Sequence, residues 1–536
     1  MASLLRNTNP LVSPLLTDKY QFTMAYAYWK GKRHQDHATF DLFYRRNPFK
    51  GSFAQFAGLD EILRFMSSFK ITNDDLDFLK KDMSQCDPGY FKWLKNLDCS
   101  EVTIHAHKEG NIVFPKEPLV RVDGPLGILQ LLETPFLNLT NYATLMTTNA
   151  RRMRIAAGQD KTLLEFGCRR AQGPDGALSA SRYSYIGGFD ASSHVLAGKM
   201  FGIPIKGTHA HSWVSSMKDT SEINVRNLTY FKNGQKKEID FVDFVLENQK
   251  KLGWTATNKG ELAAFIDYAL AFPTYFLGLV DTYDTLSSGI PNFLIVAYSL
   301  YQLGYLPIGV RLDSGKLSTL SRKTRKMFQD FAKKTSTPHF AKLKIVASND
   351  INEGVLYDLK KEGSEIDIYG IGTHLVTCQA QPALGAVFKL VEINDEPRIK
   401  LSNSFGKITV PGKKNSYRLF GKNGQAITDV MTLFDEQPPQ AHKQYTCCDF
   451  FDSHKKISVI PSKVEPLLQK VWDHKLIHKL PHVKEIKEFG DSQAQKFDPK
   501  LFQRKDPISY PVTLSSKLYE KMHQLWDEAL APQIFD

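Results

Sequence analysis

From about residue 160 the chain repeats one pattern: a short apolar run, a polar tip, then a segment whose apolar positions recur at helical spacing. TLLEFG leads to Arg169 and Arg170, IPIKG to Thr208 and His211, and YFLGLV to Asp281, Thr282 and Asp284. LPIGV leads to Arg311, Asp313, Ser314 and Gly315, LKIVA to Ser348, Asn349 and Asp350, and EIDIYGIG to Thr373 and His374. Between the runs lie helical segments such as LSTLSRKTRKMFQDF, with Leu317, Leu320, Thr324, Phe328 and Phe331 on one side. This alternation predicts parallel strands joined by right-handed crossovers. An open doubly wound sheet and a closed barrel both satisfy it. An open sheet gathers its chemistry at one switch point, whereas a barrel draws it from many strand ends on one rim. Six consecutive tips carry charged or hydroxyl residues, so an α/β barrel is expected over 151–387. The stretch from Trp213 to Phe272 is too long for one crossover and predicts an insertion over the rim.

The flanking chain reads differently. Residues 1 to 14 look like an untethered arm, and Thr17, Asp18, Lys19 and Tyr20 open a helix with Phe22, Ala25, Tyr26 and Trp29 on one face. ATFDLFYRR alternates like a half-buried strand, ending in Arg45 and Arg46; residues 59 to 97 read as helices, and 102 to 124 as three short strands. A long helix is expected from Ile128 to about Ala157, closing an α+β unit over 1–150. Strands at 388 to 421 are expected to complete that unit's sheet, within a returning segment 388–536 that also carries a C-terminal helical extension. Residues 440 to 510 read as basic and irregular, and Leu518, Met522, Leu525, Trp526, Ala529 and Leu530 as the packed face of a last helix.

A chain of 536 residues with 42% hydrophobic and 24% charged positions suits a globular protein of several domains. Its net charge of +12 is spread out, without the aromatic-basic pattern of an RNA-binding surface, and points to small anionic substrates. No apolar run reaches the roughly 18 residues of a membrane span and no leader is evident, so a cytosolic enzyme is expected, binding neither nucleic acid nor membrane. Six cysteines without paired spacing predict free thiols.

The tips differ in chemistry. His209 and His211 stand beside the Thr208 hydroxyl in GTHAHS, where a turn with packed histidines is the bland alternative. Gly370, Gly372 and Thr373 form a turn whose backbone N–H groups suit a phosphate. Arg311 can grip a carboxylate or phosphate, and Asp313, beside Ser314 and Gly315, can accept from ribose hydroxyls. Asp281 and Asp284 can hold a hydrated Mg2+. Tyr20 is equally a core residue or a ring stacked on a flat substrate. His105 and His107 alternate on one strand face but lack a third metal ligand in view. A salt bridge explains any single tip; a phosphorylated, sugar-containing anion explains them together.

FGCRRAQGPDGALSASRYSYIGGFDASS, GTHAHS, LVDTYDT, GVRLDSG, ASND, YGIGTHLVT and the opening LLTDKYQFTM, in that family's order, resemble nicotinate phosphoribosyltransferase, a type II phosphoribosyltransferase. The resemblance implies an irregular α/β barrel fused to an α+β sandwich built from the N-terminal unit and chain returning after the barrel. It implies ATP-coupled transfer of 5-phosphoribosyl from 5-phosphoribosyl 1-diphosphate to nicotinate, the entry to NAD synthesis from nicotinic acid. His211 matches the histidine that ATP phosphorylates; Tyr20, Thr208 and Arg311 match nicotinate contacts, and Thr373 a phosphoribosyl diphosphate contact. Arg169 is the alternative partner for the nicotinate carboxylate. Mg2+, or Mn2+ in its place, and a homodimer are further expectations. Lys316 departs from the acidic residue the family carries after RLDSG. Competing readings are a phosphoribosyltransferase for nicotinamide or quinolinate, and an inactive relative serving as a scaffold.

Overall fold

The computed structural model describes residues 6–401, 408–450 and 455–529. The repeated pattern folds as a six-stranded sheet ordered Leu277–Leu279, Gly309–Leu312, Lys344–Ala347, Ile368–Ile371, Thr162–Glu165 and Ala191–Ser192, with every ladder parallel. Helices such as Leu317–Thr335 cover it, burying Leu317, Thr324, Phe328 and Phe331 against the core. Packing is tight where strands begin: Gly309 has φ +156°, and a Cβ there would lie 1.9 Å from the Lys344 carbonyl oxygen, a place only glycine can take. The segment around Ile203 to Lys206 is less of a strand than its apolar spacing suggests. It contributes one parallel bridge, Ile205 to Ser192, and Ile205 is 39% exposed.

A second, antiparallel sheet is ordered Glu396–Pro397, Ala386–Ile393, His37–Tyr44, Val120–Pro125, Thr103–Ala106 and Gln469–Asp473, so the chain does return to the N-terminal unit after the parallel sheet. Lys414–Phe420 does not join it. That strand belongs to a third sheet with Ala426–Leu433, Tyr445–Cys448, Lys456–Val459, Lys463–Pro466 and Val512–Ser515. The reason is polar: alternate residues Lys414, Ser416 and Arg418 reach the second sheet's neighbourhood through Asp41 (2.5 Å), Glu117 and Asn111 (3.2 Å), all buried. A strand committed to contacts across a face is not free to pair at an edge. Arg418 is closed by a double bond pair to buried Asp429 at 2.8 and 2.7 Å.

Residues 440 to 510 are more ordered than their lysine-rich composition predicts, holding four of these strands and the helix Val483–Ala494. Asp491 pins that helix to buried Arg151 at 2.6 Å. The N-terminal arm is tethered from residue 7 onward: Asn7 Nδ2 donates to Val12 O, Thr8 N–H to Glu61, and Val12 is buried. The last helix, Ser516–Ala529, buries Leu518 and Met522 against Met431 and Leu514, leaves Ala529 exposed, and Leu530 lies outside the described residues. The insertion after Trp213 does not cover the rim with its hairpin Asn227–Lys232 and Gln235–Asp240. Thr229 O accepts from Tyr305, which precedes its strand and so marks the opposite end of the sheet.

All six cysteines are unpaired. His105 and His107 go to separate partners, His105 to Asp123 at 3.8 Å and His107 to Glu117 at 3.6 Å. Burial, with Arg121 and two lysines nearby, lowers the His105 pKa to about 4. An unfolded chain therefore takes up a proton between pH 6.5 and 4 that the folded chain refuses, and stability falls as pH falls through that window. In urea titrations at pH 7, 6 and 5, His105→Asn is expected to flatten this decline by up to about 1.4 kcal/mol per pH unit. Parallel declines in the two proteins would show that His105 takes no part.

Candidate active site at the strand tips

Parallel pairing sends the C-terminal ends of all six strands to one side, so Arg311 and Thr373 stand at the same end of one sheet, and His211, after the Ile205 bridge, joins that end through Thr282 and Asp313. The long helix Leu126–Ala157 braces that end. Asn149 Nδ2 donates to the carbonyls of His374 and Leu375 at 3.1 and 3.0 Å, and Tyr142 O–H to Val376 O at 2.5 Å. These bonds fix the turn in which Gly370, Gly372 and Thr373 sit. Phe166 completes it, donating its N–H to Ile371 O at 2.8 Å. The Phe166 ring lies against Gly370, where a Cβ would come within 2.5 Å, and 5.8 Å below the Arg311 guanidinium. An aromatic platform thus joins the Thr373 turn to the arginine.

Arg311 is held from several sides. Nε donates to Ser348 Oγ at 3.0 Å, Nη2 to Asp313 Oδ2 at 3.1 Å, and Nη1 to Thr208 Oγ1 and His209 O at a long 3.4 Å each. Ser348 in turn donates to Asp313 Oδ1 at 2.5 Å. His211 opens a short helix, its Nδ1 paired with Thr282 Oγ1 at 3.0 Å. That bond turns Nε2 toward Asp313 Oδ2 at 3.6 Å and Asp281 Oδ1 at 4.0 Å, while the ring stays 45% exposed. Asp281 is the anchor, its side chain 1% exposed, accepting from Asp313 N–H at 3.0 Å and Ser314 O–H at 2.5 Å through Oδ2. Gly315, at φ +74°, turns the chain away into the next helix. An exposed imidazole facing two carboxylates is equipped as a nucleophile that can also lose a proton.

His209 is a packed histidine. Burial, with Arg311 and His211 nearby, lowers its pKa to about 4, and Nε2 accepts from Leu279 N–H at 3.3 Å, linking the GTHAHS segment to the strand at the far edge of the sheet. Arg169 and Arg170 are exposed on the turn Cys168–Arg170; with exposed Lys206 and Lys316 they form no ion pair among the described residues, leaving the rim open to an anion. Lys316 stands at the N-cap of Leu317–Thr335 without a side-chain cap bond.

Two expected residues are elsewhere. Asp284 caps its own turn, with Oδ1 accepting from Leu286 N–H, Ser287 N–H and Ser287 O–H, and those bonds hold its carboxyl below the usual range. Tyr20 is 46% exposed on the helix Lys19–Lys30 and donates to Glu133 at 3.3 Å. Glu133 and Asn149 share one helix sixteen residues apart, roughly 24 Å at 1.5 Å per residue, so this chain does not bring its own Tyr20 to the Thr373 turn. Phe166, Thr282 and Ser348 are the residues that sequence reading passed over. Phe166 ends an apolar run and Thr282 and Ser348 stand at polar tips, but only the third dimension gives each a partner.

Among the described residues no group of three or more His, Cys, Asp or Glu is disposed to hold a metal ion. Asp281 Oδ1 is nevertheless buried without a hydrogen-bond partner. One such oxygen beside Asp313 suits Mg2+, which keeps most of its shell as water and phosphate.

Residues 15–141 match the nicotinate phosphoribosyltransferase (NAPRTase) N-terminal domain, and residues 413–522 match the corresponding C-terminal domain. Nicotinate phosphoribosyltransferase 2 of Arabidopsis thaliana is 49% identical over 530 residues, covering 97% of this chain and 95% of that protein. The nicotinate phosphoribosyltransferase of Homo sapiens is 44% identical over 520 residues, 96% of each chain. The crystal structure of human nicotinic acid phosphoribosyltransferase superposes with a TM-score of 0.85 at 41% identity, covering 95% of this chain and 99% of that one. A nicotinate-nucleotide pyrophosphorylase from Pyrococcus furiosus shares the fold, at a TM-score of 0.60 and 20% identity over 93% of this chain and 99% of that one.

Gly370→Ala is expected to displace the Phe166 ring and destabilise the protein by about 1–3 kcal/mol. Adding Phe166→Leu should return part of that loss, a non-additivity read from urea unfolding of the two single variants and the double variant. Strict additivity would show that ring and glycine do not press on each other.

Proposed function

The chain belongs to the nicotinate phosphoribosyltransferase family, and from that premise we propose that its rim joins nicotinate to the phosphoribosyl group of 5-phosphoribosyl 1-diphosphate while ATP is hydrolysed through His211. It is a phosphoribosyltransferase, an enzyme of NAD biosynthesis. The observation that carries the finer reading is the continuous set Phe166, Arg311, Asp313 and His211, which puts a carboxylate grip, an aromatic platform and a nucleophilic imidazole at one strand-tip edge.

In this reading the pyridine lies on Phe166 with its carboxylate on Arg311, displacing the two long bonds to Thr208 and His209. Thr208 then orients the carboxylate. Arg169 is exposed on the adjacent turn and serves as a second cation. The ring nitrogen attacks C1 of the ribose as the C–O bond to diphosphate breaks, and diphosphate departs with the electron pair. Asp313 accepts from ribose hydroxyls, and the Ser314–Gly315 loop and the Gly370, Gly372 and Thr373 turn take phosphate oxygens. Mg2+, or Mn2+ in its place, would sit at Asp281 and Asp313 and supply positive charge for the leaving polyanion, with Asp284 shaping the turn that presents Asp281. Lys316, where relatives of this type are expected to carry an acid, adds cationic charge on the same side.

For ATP coupling, His211 attacks the γ-phosphorus as the bond to ADP breaks, and water later hydrolyses the phosphohistidine. The new negative charge lies beside Asp281 and Asp313, so it raises the demand for cation and substrate charge at the rim and ties ATP cleavage to the grip on diphosphate. The parallel sheet, its Ile205 bridge and the His209–Leu279 link support an irregular barrel, with the second and third sheets as the sandwich. A homodimer gives Tyr20 its role: a second copy would carry its exposed ring to this rim. Unpaired cysteines suit a cytosolic setting.

His211→Ala should abolish stimulation by ATP while leaving a reduced, ATP-independent transfer, measured as diphosphate release with and without ATP. Undiminished stimulation would remove His211 from the coupling step. Loss of a charge-assisted contact is worth about 1.5–3 kcal/mol, so Arg311→Gln should cut kcat/KM for nicotinate by about 10–100-fold and change turnover of nicotinamide far less. Equal losses on nicotinate, nicotinamide and quinolinate would mean that Arg311 does not read the carboxylate.

A further inference from the structure

We propose that Ser348 is a positioning residue that couples the base-gripping arginine to the carboxylate facing His211, and so links nicotinate binding to the ATP step. The proposal rests on the reading of Arg311 and His211 given above.

Arg311 and Asp313 are two residues apart on one strand end, and an arginine beside a carboxylate favours two parallel bonds from Nε and Nη2. Here that pairing is only half made. Ser348 Oγ stands between the partners, accepting from Arg311 Nε at 3.0 Å and donating to Asp313 Oδ1 at 2.5 Å. Asp313 therefore gives Arg311 only Oδ2, at 3.1 Å, and that oxygen is the one 3.6 Å from His211 Nε2. A hydroxyl can do this because it accepts and donates at once. A methyl group in its place leaves Nε and Oδ1 unpartnered, and the carboxylate is then free to rotate onto the guanidinium in the two-bond arrangement, away from the imidazole. The same rotation takes Arg311 Nη1 out of line with Thr208 and His209, where the nicotinate carboxylate is received.

The hydroxyl is itself held in place. Ser348 is 5% exposed and its N–H donates to Leu312 O at 2.9 Å. The next two residues, Asn349 and Asp350, have φ of +90° and +47°, a left-handed turn that non-glycine residues adopt at a cost. Glu353 fastens the far side of that turn to buried Arg152 by bonds of 2.9 and 3.0 Å. A turn so secured keeps one serine oxygen at a fixed distance from both partners.

The test compares Ser348→Ala and Ser348→Thr with the wild-type enzyme, by crystal structure and by steady-state kinetics. In Ser348→Ala, Asp313 should be found on Arg311 through both oxygens and farther from His211. KM for nicotinate should rise about tenfold, and the ratio of rates with and without ATP should fall about fivefold or more, as loss of a buried charge-assisted bond predicts. Threonine retains the hydroxyl and should return both quantities most of the way. An alanine structure with Asp313 unmoved overturns the proposal whatever the activity. So does a fall in kcat alone, with KM and the ATP ratio at wild-type values. Should Asp313 move while wild-type enzyme prefers a base other than nicotinate, the positioning role stands and the assignment of the base falls.

Discussion

A parallel sheet whose strands run two to four residues has few backbone bonds with which to hold its ends, so its polar tips must secure one another. Asp281 does most of this work. Its side chain is buried, it takes the N–H of Asp313 and the hydroxyl of Ser314, and it thereby sets the height at which the Arg311 strand emerges beside His211. Asp313 and, through it, Arg311 are referred to that anchor, and His211 faces it. The site is consequently stiff where it positions groups and open where it receives them, with exposed Thr208, Arg169 and Lys206 around a fixed floor.

Much of this floor was legible in the sequence because its signal is local. An apolar run, a tip and a helix are read within thirty residues, and the tips at Thr208, His211, Asp281, Arg311, Asp313 and Thr373 come to one edge for that reason. What escaped reading depends on distant partners. Phe166 looked like the last apolar residue of a strand until Gly370, two hundred residues on, was seen to leave room for its ring. Lys414–Phe420 alternates like any half-buried strand, and only Asp41, Glu117 and Asn111 decide which sheet it enters. The stretch from Trp213 to Phe272 predicts an insertion over the rim, yet its hairpin at 227–240 packs at the other end, because chain length says how much is inserted, not on which side it packs.

The polar seam between the second and third sheets follows a different logic from the rim. Lys414 with Asp41, Arg418 with Asn111, and Ser416 with Glu117 are buried and matched. Apolar side chains of similar volume would hold the sheets together as well; matched polar pairs hold them in one register, because any slip strands a buried polar or charged group without its partner. The helix Leu126–Ala157 carries that precision to the rim, since Asn149, Arg151 and Arg152, within about one turn, meet the turn after Thr373, Asp491 and Glu353.

The second sheet has one property that bears on how the protein is made. His37–Tyr44 lies between Val120–Pro125 and Ala386–Ile393, so one side of it finds its neighbour only when residues some 350 positions later are present, as in the pairing of Ala38 with Ile393. On a ribosome adding 5–20 residues per second, that flank is bare for roughly 20–70 s. During synthesis the nascent chain therefore exposes an unpaired strand edge with Phe40, Leu42 and Phe43 on it, and its yield in a cell depends on what shields that edge until the later strand arrives.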